Sequence, residues 1–310
     1  MSDSRPSPAL LALSFAAVYL IWGCSFAASK LVVRDLPPLL AAGVRFSTAG
    51  LGIALVAACR GARPPRHPGE WRHVAVMALC LVVVSNGCGT LALRHVSSSE
   101  SALLNVSSAL WIPLLGTLGS RGHPVGARAA AGLALGFAGV ACLMWPRGGL
   151  SSANLGWKLV IVFGCFAWAL GTLYYRRISH RTPPLMFSAL EMLLGGLTLA
   201  TLGLAGGDAA RWHPTAPSLA GLAFITVMSS GLAYTAFGYL MRHTTPTRLA
   251  TYGYVNPAVA ALVGWLLLGE QLSRLQLLGT VVALLGVVLI SLPQGAAAAR
   301  APGPPDEAPP

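Results

Sequence analysis

Charged side chains are scarce in this sequence. They make up 10% of 310 residues, where a soluble domain carries about 25%. A chain with so little charge cannot cover itself with a surface that faces water. Acidic residues are scarcer still, nine in all, and among the 21 basic residues only Lys30 and Lys158 are lysines. The formal net charge is +12, which in a soluble protein would point to nucleic acid. Here the basic residues lie mostly in short links between apolar runs, where they set topology and meet anionic lipid. No nucleic-acid partner is expected. The preference for Arg over Lys, beside abundant Ala, Gly and Pro, fits a GC-rich bacterial genome.

Metal-binding and catalytic patterns are missing too. The six cysteines, Cys24, Cys59, Cys80, Cys88, Cys142 and Cys165, fall within or at the ends of apolar segments. They form no CxxC pair and no Cys/His spacing that suits zinc, so they read as small packing residues. No metal or other cofactor is expected. No GxSxG, HExxH or Walker sequence is present, no apolar segment carries paired aspartates, and the histidines lie in links or at segment ends, so catalysis is not expected either. Arg5 ahead of an apolar run, with "AAS" at 27–29, imitates a signal peptide. That run exceeds the roughly 7–15 residues of a signal core and continues through Trp22 towards Lys30. It reads as a first membrane span.

Long apolar runs are what the sequence does have, and 55% of its residues are hydrophobic. A hydrocarbon core of about 30 Å takes roughly 20 helical residues to cross. Segments of that size lie near residues 9–33, 38–59, 74–95, 99–119, 127–145, 156–178, 185–206, 218–241, 247–268 and 272–292. The fold class is therefore an all-α polytopic membrane protein with ten transmembrane helices. Residues 1–8 are a short tail, 9–146 and 156–293 two five-span halves, and 147–155 the linker between them. The Ala/Pro-rich tail 294–310 is expected to be disordered. With the N-terminus inside, 13 basic residues fall on the cytoplasmic side and 6 outside, leaving Lys30 and Arg45 within the membrane. That asymmetry places both termini in the cytoplasm and the chain in the inner (plasma) membrane.

The halves repeat. A shift of 146 residues brings residues 22–50 into register without gaps: Trp22 meets Trp168, Lys30 meets Arg176, Pro37-Pro38 meet Pro183-Pro184, and Arg45 meets Glu191. Further on, with small gaps, "GHPVGARAAAGLALGFAGV" (122–140) matches "GEQLSRLQLLGTVVALLGV" (269–287). Five spans per half is an odd number, so the second half enters the bilayer from the opposite side. Inverted repeats of this kind place a substrate site near the midplane, between the halves.

This arrangement resembles the EamA-type branch of the drug/metabolite transporter superfamily, over roughly residues 9–292. The resemblance rests on "YLIWGCSFAASK" (19–30), "VRF" (44–46), "SALWIPLLG" (108–116) and "YVNPAVAALVGWLLLGEQLS" (254–273). It implies ten helices in two five-helix repeats. It also implies a secondary active transporter of a small organic solute, with export of amino acids or related metabolites as the leading expectation. Drug efflux, or a scaffold or receptor role without transport, are the alternatives. The first half has Gly122-His123 where the second has Gly269-Glu270, so the Gly-Glu turn is intact only once.

Arg45 and Glu191 are the residues that most need an explanation, since a charge within a span costs about 2.5–3.5 kcal/mol on insertion scales. Each lies roughly 10 Å beyond its double proline. Approaching from opposite faces, the two differ in depth by about 10 Å, which argues against a direct salt bridge. Arg45 can snorkel to headgroups, pair with Asp35 or Glu100, or line a cavity. Glu191 can pair with Arg176 or Arg177, or carry a proton. Asn105, Ser108 and Trp111 are spaced to share one helix face. Tyr252 and Asn256 lie a turn apart, with Pro257 freeing a carbonyl nearby. Asn86 and Tyr234 add polar groups near mid-span, and Trp22 and Trp168 add one repeat-related indole per half. These nine are the candidate cavity lining; interhelical bonding and packing are the alternative roles. Gly132 and Gly136 read as a packing pair.

Overall fold

A computed structural model describes residues 7–116, 126–145, 154–178, 182–244 and 252–291. Ten spans are present among them, and no strand. Span 1 is Pro8–Asp35, span 2 Pro38–Cys59, span 3 Pro68–Ala92, span 5 Ala127–Met144, span 6 Leu155–Arg177 and span 7 Pro184–Ala205. Span 8 is built from Ala216–Phe224, Ile225–Ala233 and Tyr234–His243; span 9 is Tyr252–Leu268 and span 10 Arg274–Ser291. Span 4 departs from the expected single helix. It comes as Ser98–Leu104 and Ser107–Gly116, with a turn at Asn105–Val106. The expected tail 294–310 and the Gly122-His123 turn lie outside the described residues.

Proline sets several of the boundaries. Pro38 and Pro184 sit in the first turn of their helices, where no backbone N–H is needed. Pro37 forces the residue before it into extended geometry, and Leu36 duly ends span 1 at φ −105° and ψ 146°. Outward-facing leucines and valines, such as Leu13, Leu55, Val227 and Leu267, are more than half exposed, as a lipid-facing surface requires.

Glycine sets the deepest contacts. Spans 2 and 7 touch backbone to backbone. A Cβ added at Gly43 would lie 2.4 Å from the Ala200 nitrogen, and one at Gly196 would lie 2.4 Å from the Ser47 nitrogen. Gly50 meets Leu193 and Gly203 meets Leu40 in the same way. As the residue number rises along one helix it falls along the other, so these two repeat-related helices run antiparallel. Spans 5 and 10 repeat the arrangement, with Gly132 on Gly286 and Gly139 on Ala283. The packing role expected of Gly132 and Gly136 is therefore seen, Gly136 against Leu110 and Gly286. Equivalent helices can run antiparallel only if one half is inverted. The other packing partners obey the same exchange: span 1 lies on spans 8 and 9, and span 6 lies on spans 3 and 4.

One end of the bundle, extracytoplasmic by the count of basic residues, is tied by polar groups. Lys30 donates to the carbonyls of Leu93 and Val96, at the end of span 3. Arg94 returns the favour to Val33 and Leu36, at the end of span 1. Each cation thus satisfies carbonyls that a helix terminus leaves open. Lys158 pairs with Glu100 at 3.1 Å, and Gln276 donates to the same carboxylate.

The Gly-Glu turn explains its own motif. Gly269 takes φ +66°, a left-handed helix end that favours glycine. The chain folds back so that the Glu270 carboxylate accepts from the Ser98 and Ser99 N–H groups at 2.7 and 2.9 Å and from their hydroxyls at 2.9 and 2.7 Å. Gly264 leaves the room, since a Cβ there would come within 2.6 Å of the Ser99 hydroxyl and the carboxylate. Burial opposes the charge on Glu270, but the hydrogen bonds from Ser98 and Ser99 outweigh it and hold the carboxyl below its usual range.

Two predictions follow from this packing. Gly139→Ala, whose Cβ would fall 2.3 Å from the Ala283 nitrogen, should destabilise the protein by about 1–3 kcal/mol in detergent. Gly52→Ala, with open space around it, should stay within about 0.5 kcal/mol; equal effects of the two would refute the close contact. A carboxyl whose value is depressed by folding contributes stability above its unfolded value and loses it as pH falls. Thermal unfolding of the wild type should therefore weaken more steeply than that of Glu270→Gln between about pH 5 and 3. Parallel curves would show that the turn does not hold span 4.

Candidate functional site

Spans 3 and 8 change winding in the middle. Ala78–Asn86 and Ile225–Ala233 are both π-helical, nine residues each, at nearly the repeat spacing. A π-turn is wider than an α-turn and occurs frequently at functional sites. In span 3 the Asn86 amide closes its own segment by donating to the Leu81 carbonyl five residues back, at 2.7 Å. In span 8 the two serines face other helices instead. The Ser229 carbonyl accepts from the Trp22 indole at 3.3 Å, and the Ser229 and Ser230 hydroxyls accept from Arg45.

Both membrane charges reach this one span. Arg45 Nε donates to Ser230 at 2.9 Å and Nη2 to Ser229 at 3.3 Å, while the guanidinium carbon lies 4.5 Å from the Phe46 ring centre. One turn further along, Tyr234 donates to Glu191 at 2.5 Å, and the glutamate is only 2% exposed. The partners expected for these charges are thereby corrected. Asp35 accepts from Thr215, and Glu100 is taken up by Lys158 and Gln276, so neither serves Arg45. Arg177 is exposed and does not pair with Glu191. The side chain of Arg176 lies outside what is described. As the depth argument expected, Arg45 and Glu191 do not pair with each other.

Three aromatic rings adjoin this arrangement. Trp22, Phe237 and Tyr252, from spans 1, 8 and 9, have ring centres 5.1–5.6 Å apart, with Tyr252 edge-on to both others. Asn256, one turn beyond Tyr252, is buried, and its Oδ1 has no hydrogen-bond partner among the described residues. Gly23 lets span 9 approach here, because a Cβ on it would meet the side chain of Val259 at 2.5 Å. Trp22, Tyr234, Tyr252, Arg45 and Glu191 are thus gathered around the middle of span 8, with Asn256 beside them.

The other candidates lie elsewhere. Trp168 packs with Val74, Met77, Leu81 and Phe187, in the apolar cluster between spans 3, 6 and 7. Asn105 donates to the Ser101 carbonyl at 2.8 Å and Ser108 to the Asn105 carbonyl at 2.8 Å, so both serve the break in span 4. The break interrupts the helix between Asn105 and Ser108, yet Asn105 and Trp111 both meet span 6, at Cys165 and Phe166. Trp111 meets Phe137 and Phe166 edge-on, and its buried Nε1 has no partner among the described residues. Ser229, Ser230 and Phe237 were not singled out from the sequence. The available signal was "SSG" at 229–231, two hydroxyls in the middle of an apolar run.

The comparisons with known proteins agree with this architecture. The EamA-like transporter family matches the chain twice, over residues 9–145 and 155–292. The chain is 33% identical over 279 residues to the "Uncharacterized inner membrane transporter YedA" of Escherichia coli (strain K12), covering 89% of each. It is 28% identical over 295 residues to a "Probable amino-acid metabolite efflux pump" of the same strain, covering 88% of this chain and 91% of the relative. A solved crystal structure at 18% identity superposes with a TM-score of 0.64, covering 92% of this chain and 96% of that one, and shares the fold. Inverted halves, a helix pair wound wide at mid-span and a family match to each half lead to one conclusion: the chain belongs to the EamA-like transporter family, as a multi-pass transporter of the inner membrane.

Proposed function

We propose that the chain is a secondary active transporter that works by alternating access and exports amino acids or related metabolites. The observation that carries this reading is the convergence of Arg45, Glu191 and the Trp22–Phe237–Tyr252 rings on the π-helical middle of span 8. Irregular backbone at membrane depth is tolerated where it is buried in protein or lines a wet cavity. Sites of this kind in inverted-repeat carriers lie between the halves. Aromatic faces, an amide oxygen on Asn256 with no partner among the described residues and a guanidinium suit a small polar organic solute. The likeness to a relative named as an amino-acid metabolite efflux pump supports the same class.

In this reading Trp22, Tyr234, Tyr252 and Asn256 line the cavity, and Trp111, packed on Phe137 and Phe166, supports it from span 4. Asn86, Asn105, Ser108 and Trp168 support the helices around it. Glu191 carries the coupling proton. It is buried, touches one neutral donor, and has no cation within ion-pair distance among the described residues. A second chain is not required by any of these roles.

Counterflow into proteoliposomes preloaded with L-amino acids tests the reading. Exchange of at least one amino acid is expected; flux of hydrophobic drugs alone would move the protein to drug efflux, and no flux of any solute would leave a scaffold or receptor. Glu191→Gln should remove the dependence of flux on pH between about 5 and 8 while changing solute affinity less than about threefold. An unaltered pH profile would take Glu191 out of the coupling step. Tyr252→Ala should weaken solute binding about tenfold or more, as loss of an aromatic contact at a binding centre does, whereas wild-type affinity would return Tyr252 to packing.

A further inference from the structure

We propose that Arg45 is the anchor for a carboxylate on the transported solute, so that the natural substrate carries a free carboxyl group. This rests on the carrier reading above and narrows it to a substrate class. A guanidinium within a membrane span ordinarily pairs with an opposite charge or with backbone carbonyls. Arg45 has neither: its recorded donors go to the Ser230 and Ser229 hydroxyls, and no carboxylate lies within ion-pair distance among the described residues. Two hydroxyls orient the group without neutralising it. A guanidinium has five N–H donors, and these two bonds leave three to offer. The side chain also retains some exposed surface.

Towards the end of the bundle tied by Lys30 and Arg94, a cavity of about 10 Å³ lies against Arg45 between Ser29, Ala42, Thr90 and Ile225, with room for about one water. Ser229 links the guanidinium to the aromatic rings, because its hydroxyl accepts from Arg45 and its carbonyl accepts from Trp22. In the proposal the solute carboxylate takes N–H groups that Ser229 and Ser230 leave open, and the rest of the solute meets Trp22, Phe237 and Tyr252, which the shared Ser229 places next to Arg45. Arginine suits this role because its planar fork matches both carboxylate oxygens, which a lysine ammonium does not. Glu191 is not the counter-charge. It is held by Tyr234 a full turn along span 8, at a different depth.

The test uses matched solutes in proteoliposomes holding the full chain: aromatic and branched L-amino acids, their primary amides and their decarboxylated amines. Wild-type protein should bind and exchange the free acids about 30-fold or more better than the amides and amines. Arg45→Gln should bring the acids down to the level of the amides, with acid affinity falling at least about tenfold more than amide affinity. Arg45→Lys, which keeps the charge but not the fork, should retain a reduced preference. Equal handling of acids and amides by the wild type overturns the inference and leaves the carrier reading standing. So does an unchanged preference in Arg45→Gln. Absence of flux for all three solute classes overturns both. Should Arg45→Gln fail to fold, Ser229→Ala/Ser230→Ala leaves the guanidinium in place but unoriented. It should cut the acid preference at least about threefold, and a wild-type ratio there counts against the proposal.

Discussion

The backbone contact between spans 2 and 7 is the constraint on which the rest depends. Gly43, Gly50, Gly196 and Gly203 remove the side chains that would hold these helices apart. Without water in the bilayer, dispersion between close backbones replaces the hydrophobic effect as the force that holds helices together. The contact is antiparallel, so it also fixes the depths of the two membrane charges. Arg45 and Glu191 occupy the same position in each half, yet they come to lie at separate levels. The chain keeps both without letting them neutralise each other.

Span 8 resolves what this contact creates. Its π-helical middle offers two hydroxyls and a carbonyl to spans 1 and 2, and the turn that follows offers a phenol to span 7. Span 3 has the same winding but closes it internally through Asn86. The fold is therefore nearly two-fold while its polar chemistry is one-sided. That is what a carrier needs, since its frame must rock between two related arrangements while its solute has no symmetry. At one end of the bundle, Lys30 on span 3 and Arg94 on span 1 tie helix ends within the first half, and Glu270 on Ser98 and Ser99 ties the second half to the first.

Much of the frame was legible from residue patterns. Span length, the paired prolines and the odd number of spans per half follow from bilayer thickness, ring geometry and parity, which are local or countable. Gly132 and Gly136 showed their packing role through spacing alone. The charges were legible as unusual, but their partners were not, because a partner on another span depends on rotation about two helix axes. The interruption of span 4 was not legible, because no proline or glycine marks the turn at Asn105–Val106 within its apolar run. The π-segments carry no proline or repeated motif to announce them. Only the paired serines at 229 and 230 hinted that something would face inward there. Glu270 was visible as a difference between the halves, but its ligation by Ser98 and Ser99 joins residues 171 and 172 positions apart.

The central claim is that two equivalent halves sit in the membrane in opposite senses. Arg63 and Ala209 stand one repeat apart, in exposed links after the second span of each half. In a cysteine-free background, a membrane-impermeant thiol reagent should label Ala209→Cys in intact spheroplasts and Arg63→Cys only after the membrane is opened. Labelling of both positions from the same side would contradict the inversion and remove the site built upon it.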